Sequence, residues 1–157
     1  MHMAKATYEE NLQVDFHRKA AINLFNEVWD LMEKHDRTAE EDFLMIHKAH
    51  ASRFHWGEIG EPVNFSRGEW QVSRVYAVLN RPEPCLVHAK RNFDIILDHD
   101  IKDFDLAFAY EALARGYSLS GDTISKEKYL KLAKEATAAI ERDTDRRVVL
   151  QDLETIE

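Results

Sequence analysis

Apolar residues recur at helical spacing along nearly the whole chain and fall into seven segments separated by polar, glycine or proline positions. The first, residues 7–34, aligns Leu24, Phe25, Val28, Leu31 and Met32 on one face and stops in the polar run His35, Asp36, Arg37. Thr38 followed by Glu41 is a capping box, in which each residue satisfies a backbone N–H of the other; it opens a second segment that reaches Trp56 before WGEIGEP breaks it. A third runs from Asn64 to Asn80. Pro82 and Pro84 mark a turn, and Leu86 to Asp98 form the fourth. Asp103 caps a fifth that lasts to Ser120 and Gly121, and Ser125 caps the sixth. The last starts at Asp143 or Asp145, with Val149, Leu153 and Ile156 at helical intervals. Short turns join the segments in pairs, predicting hairpins over 7–56, 64–98 and 103–142 and a closing helix over 144–156, all in one domain spanning 1–157. With only five glycines and three prolines, the composition agrees with an all-α protein.

Two stretches repeat. SRVYAVLN (Ser73 to Asn80) and ARGYSLSG (Ala114 to Gly121) align without a gap at a period of 41 residues, matching Arg74 with Arg115, Tyr76 with Tyr117 and Asn80 with Gly121. Each is followed by a helix with small residues on one side, Cys85 and Ala89 in one copy, Ala133 and Ala136 in the other. Tyr110, Leu113, Ala114, Tyr117 and Gly121 carry a pattern of large, Leu, small, Tyr and Gly that resembles the tetratricopeptide-repeat family. The likeness is good over 107–141, weaker over 66–97 and only architectural before that. Tyr129 stands where the family has a small residue, and its customary proline after the second helix is missing. The resemblance implies three antiparallel helix-turn-helix hairpins stacked as a short right-handed α-solenoid, plus a C-terminal capping helix. It also implies that first-helix positions line a concave groove, here Arg67, Trp70, Arg74, Phe108, Glu111, Arg115 and Ser118.

Charge narrows the partners. A formal net charge of −8 argues against nucleic acid and anionic membrane surfaces, whose contacts depend on Lys and Arg. No stretch approaches the ~20 apolar residues of a membrane span, and MHMAKATYEENLQVDF lacks the apolar core of a signal peptide. Cys85 is the only cysteine, which excludes an intramolecular disulfide and a multi-thiolate zinc site. These features suit a cytoplasmic protein, and Cys85 reads as an inert, buried thiol.

Chemistry is sparse. His47, His50 and His55 lie in HKAHASRFHW; helical geometry puts His47 and His50 among Phe43, Leu44, Ala51 and Phe54, pointing inward, with His55 about 80° round from His47. They read as hydrogen-bonded core histidines, with no metal assigned. Asp98, Asp100, Asp103 and Asp105 alternate without the glycine or terminal glutamate of a calcium loop. No phosphate loop or nucleophile motif is present, so no catalytic residue or cofactor is assigned.

The fifth helix is more informative, because LAFAYEALARGYSL is apolar almost all round yet aligns Glu111, Arg115 and Ser118, with Glu111 and Arg115 at i, i+4. Either Arg67, Arg74 and Arg115 form a cationic patch around an exposed Trp70, or they pair internally while Trp70 fills the core. The first reading predicts a module that binds a protein or peptide segment bearing acidic groups or a C-terminal carboxylate. A second class is a small-anion receptor or metal-dependent enzyme, drawing on His50, Arg53 and His55 beside Trp70 and Glu111. A third is a homodimer closed along the same stripe.

Overall fold

In the computed structural model, which describes the backbone of residues 2–157 and side chains from residue 7 onward, every regular element among the described residues is an α-helix. The expectation drawn from the opening residues 1–6 lies outside the described side chains. The helices are α1 (His2–Glu33), α2 (Ala39–Ile59), α3 (Pro62–Val78), α4 (Pro82–Asp98), α5 (Phe104–Ser120), α6 (Thr123–Ala138) and α7 (Asp143–Leu153). None is long and apolar enough to cross a membrane.

Local chemistry fixes the boundaries. Arg37 ends α1: its Nη1 donates to the carbonyls of Leu31, Met32 and Lys34 at 3.2, 3.2 and 2.7 Å, while its Nε holds Asp42 at 2.7 Å. The orphan carbonyls of a helix end are thereby satisfied by a side chain from the turn. Thr38 and Glu41 form the expected reciprocal box at the start of α2. Helix α4 starts four residues earlier than the turn reading allows, because Pro82 and Pro84 sit in its first turn, where a missing N–H costs nothing. Ser125 is not the cap of α6; Asp122 is, accepting from Ser125 N at 3.0 Å. Asp103 precedes α5 but makes no side-chain cap bond.

Successive helices pack in pairs, α1 on α2, α3 on α4 and α5 on α6, with further packing of α2 on α3, α4 on α5, α3 on α5, and α7 on α5 and α6. Val28, Met45, Ala49, Val72 and Val75 form a core between α1, α2 and α3. Ala107, Phe108, Ala133, Ile140, Val149 and Leu153 form another between α5, α6 and α7. Trp70 of α3 packs against this second core and also against a third, built from Ala89, Ala112 and Leu113. Helix α5 is buried on most sides because Ala107, Ala109, Ala112, Ala114 and Gly116 let its neighbours come close. A Cβ on Gly116 would lie 2.6 Å from Leu86 Cδ2.

The two aligned stretches end in the same turn. Asn80 and Gly121 both take positive φ, 54° and 78°, and the residues after them bond back five positions, Arg81 N to Tyr76 O at 2.9 Å and Asp122 N to Tyr117 O at 3.0 Å. This is the left-handed C-terminal cap that glycine, and to a lesser degree asparagine, accommodates.

Candidate functional site

A cavity of about 390 Å³ opens where five helices converge. Helix α1 contributes Phe25 and Trp29, α3 Ser66, Arg67 and Trp70, α4 Asn92, α5 Phe104, Asp105 and Phe108, and α7 Val148 and Asp152. Six of these side chains are aromatic or aliphatic, and the rings stand against one another: Trp29 to Trp70 at 5.6 Å, Trp70 to Phe108 at 5.1 Å, Phe104 to Phe108 at 4.6 Å between centroids. Arg67, on an exposed part of α3, donates to both oxygens of Asp105 at 2.8 and 3.0 Å. Asp105 holds the guanidinium more firmly charged than usual. Apolar walls with a few placed polar groups are the general make-up of a ligand pocket.

The seven groove candidates divide into two sets and one outlier. Arg67, Trp70 and Phe108 line the cavity. Arg74, Glu111 and Arg115 form a charged knot beside it: Glu111, 1% exposed, accepts from Arg74 Nη1 at 3.0 Å, Arg115 Nε at 2.6 Å and Trp70 Nε1 at 3.1 Å. Arg74 also reaches Asp152 at 3.0 Å, and Arg115 donates to the Asp152 carbonyl at 2.9 Å and to Thr155 Oγ1 at 2.8 Å. Ser118 donates to the Glu157 backbone oxygen, which Lys126 also reaches at 3.2 Å. Helix α7 and the residues after it therefore lie over the surface on which an open cationic patch was expected. Every guanidinium of that patch is paired with a carboxylate of the same chain, which leaves an apolar hollow beside Trp70 in place of a cationic groove. Trp70 itself is half-buried.

The histidines do not point inward as their positions on the helix suggested. His47 and His50 are exposed and His55 is half-buried. His50 Nε2 lies 2.9 Å from Tyr76 Oη, and its ring packs edge-on to His88 at 5.2 Å. Partial desolvation of the ring lowers the His50 pKa, and the charges of His88 and His47 lower it further, against an opposite pull from Glu69. His88 Nδ1 in turn sits 2.7 Å from Glu69, whose other oxygen accepts from Arg53 Nε at 2.9 Å. Burial works against the Glu69 charge, but the bonds from His88 and Arg53 hold its carboxyl below the usual range. His55 belongs to a separate pair, with His17 Nδ1 2.9 Å from His55 Nδ1. His50, Arg53 and His55 are thus divided between two networks, whereas Trp70 and Glu111 belong to the cavity and its knot. Among the described residues, no three His, Cys, Asp or Glu side chains are grouped so as to hold a metal ion.

Cys85 is buried, its Sγ 3.4 Å from Ser73 Oγ, and burial pushes its thiol pKa up. Sequence reasoning passed over Phe25, Trp29, Ser66, Asn92, Phe104 and Val148 as site residues. Nothing in the local pattern marks them, since they meet only when α1, α4 and α7 close on α3 and α5. Comparison of the chain with protein-family models, with curated proteins and with solved structures finds no match.

Proposed function

We propose that the protein is a helical-repeat binding module, tetratricopeptide-like in plan, that takes an apolar side chain of a protein or peptide partner into the cavity beside Trp70. On this reading α1 with α2, α3 with α4 and α5 with α6 are three stacked hairpins of a short solenoid, and α7 is its cap. The shared left-handed turn at Asn80 and Gly121, and the convergence of the aligned Arg74 and Arg115 on one carboxylate, support that plan. The observation that carries the function is the cavity itself, about 390 Å³ and walled by five aromatic rings and Val148. Burying one ring or branched aliphatic side chain there contributes about 1.5–3 kcal/mol, roughly ten- to 150-fold in affinity. Recognition of an acidic group or C-terminal carboxylate falls to Arg67 alone, the guanidinium of the three that remains more than half exposed. A lone buried thiol and an acidic surface fit a cytoplasmic setting.

The test is selection of a random peptide library on the purified protein, with Val148→Trp as the comparison. Val148 is 48% exposed at the cavity wall, so a tryptophan there fills the hollow without touching the core. Selected peptides should share one large apolar residue next to an acidic one and should lose binding to Val148→Trp. Peptides without such an anchor, or binding that ignores the substitution, overturn the proposal.

A further inference from the structure

Of the residues lining the cavity, Ser66 and Asn92 are the most deeply buried, at 2% and 1% exposure, so they form its floor. They are bonded to each other, Ser66 Oγ donating to Asn92 Oδ1 at 2.6 Å. That bond uses the one hydroxyl proton of Ser66 and leaves its lone pairs open. It also leaves both N–H groups of the Asn92 amide without an acceptor among the described residues. Among the described residues Gln71 Oε1 is the one side-chain polar atom both sealed from solvent and unpaired, so the Asn92 amide nitrogen is still reachable, and a ligand that lines up an acceptor with it replaces water there.

Resting on the cavity being a binding site, we infer that the side chain it receives is the phenol of a tyrosine on the partner segment. The floor presents open amide donors beside an open acceptor, and a hydroxyl is the group that answers one of each: its oxygen accepts from Asn92 Nδ2 while its proton goes to Ser66 Oγ. The match survives turning the amide over. With Asn92 Nδ2 donating to Ser66 Oγ, the phenol donates to Asn92 Oδ1 and accepts the Ser66 proton. A carbonyl satisfies only donors, and a phenylalanine ring satisfies neither. The walls supply the other half of the selection, since Trp29, Trp70, Phe104 and Phe108 offer faces and edges for an aromatic ring above that floor. Arg67 at the mouth suits an acidic residue next to the tyrosine in the segment.

The experiment uses the full chain and four probes: p-cresol, toluene, and two blocked pentapeptides with glutamates flanking a central tyrosine or a central phenylalanine. Binding is read from the NMR shifts of the Trp29 and Trp70 indole N–H groups as each probe is titrated. We expect p-cresol to bind about ten- to a hundredfold more tightly than toluene, the same ratio between the two peptides, and the tyrosine peptide to bind more tightly than p-cresol. In Asn92→Leu the ratios should fall to near unity. Ser66→Ala, which removes one hydroxyl and threatens the fold less, should reduce them severalfold. Equal binding of p-cresol and toluene by the wild type, or ratios unchanged in both variants, overturns the phenol while leaving the cavity as an apolar site. A tyrosine peptide no tighter than p-cresol overturns the assignment to a polypeptide. If no probe moves either indole signal, the binding site itself is refuted, and the inference with it.

Discussion

Arg74 and Arg115, 41 residues apart in the sequence, donate to the same oxygen of Glu111, at 3.0 and 2.6 Å. With Trp70 on the second oxygen, this carboxylate ties α3 to α5, and through Asp152 and Thr155 both arginines tie down α7 and the residues after it. A carboxylate this deeply buried is tolerable only because it is fully paired. Glu111→Ala takes the shared carboxylate from two largely covered guanidiniums, leaving Arg115 without an anionic partner and Arg74 with Asp152 alone, and should cost about 3 kcal/mol, measured as a lower denaturation midpoint in urea. Asp152→Ala, at a more exposed position, should cost clearly less.

The turns after α3 and α5 impose different demands on their substitutions. Gly121 has open space around an added Cβ, so any penalty there comes from its positive φ alone. Gly121→Ala should destabilise by about 1 kcal/mol, and Gly121→Asn by less, since Asn80 already adopts that conformation in the equivalent turn. Gly116→Ala, by contrast, meets the Leu86 side chain and should cost about 1–3 kcal/mol through overpacking. Thermal unfolding of the three variants separates a conformational cost from a packing cost.

Acid should weaken the fold through His50 before it does so through Glu69. The His50 pKa is lowered from 6.5 in the folded chain, so below that value the unfolded chain binds the proton more readily and stability falls with pH. The fall ends once the pH is below the folded value. Glu69, lowered from 4.5, adds a second loss that begins only in that more acidic range. Denaturation midpoints measured from about pH 7 down to about pH 5 should therefore decline in the wild type and decline less in His50→Gln.

Cys85 should be unreactive in the native state. Its thiol is buried and its pKa raised, so little thiolate is present to attack. An aromatic disulfide reagent at mildly alkaline pH should label one thiol in denaturant and none on the same timescale without it. Rapid native labelling would show that the α3–α4 interface opens readily.

The helices were legible because their signals are local. Thr38 and Glu41 announce α2 within four residues, and Gly121 announces the end of α5 by needing a left-handed turn. The prolines at 82 and 84 misled because the same residue that breaks a helix interior is welcome in a first turn. The Glu111–Arg115 pair was readable from its spacing, but the third partner, Asp152, lies 78 residues from Arg74 and nothing local points to it. The histidines failed for a related reason: α2 carries apolar residues on more than one side, with Phe43, Leu44 and Phe54 themselves exposed. Which side faces inward is set by α1 and α3. Ser66 and Asn92 look like ordinary surface residues in the sequence; only the crossing of α3 and α4 turns them into a buried polar floor.

Two of the cavity's lining residues, Val148 and Asp152, belong to α7. During synthesis the aromatic walls on α1, α3 and α5 emerge from the ribosome first, and the hollow they outline stays unroofed until residues 143–153 have followed. On the reading proposed above, ribosome-bound chains stalled before Asp143 should bind at the Trp70 hollow more weakly than the released chain, because they lack Val148 and Asp152.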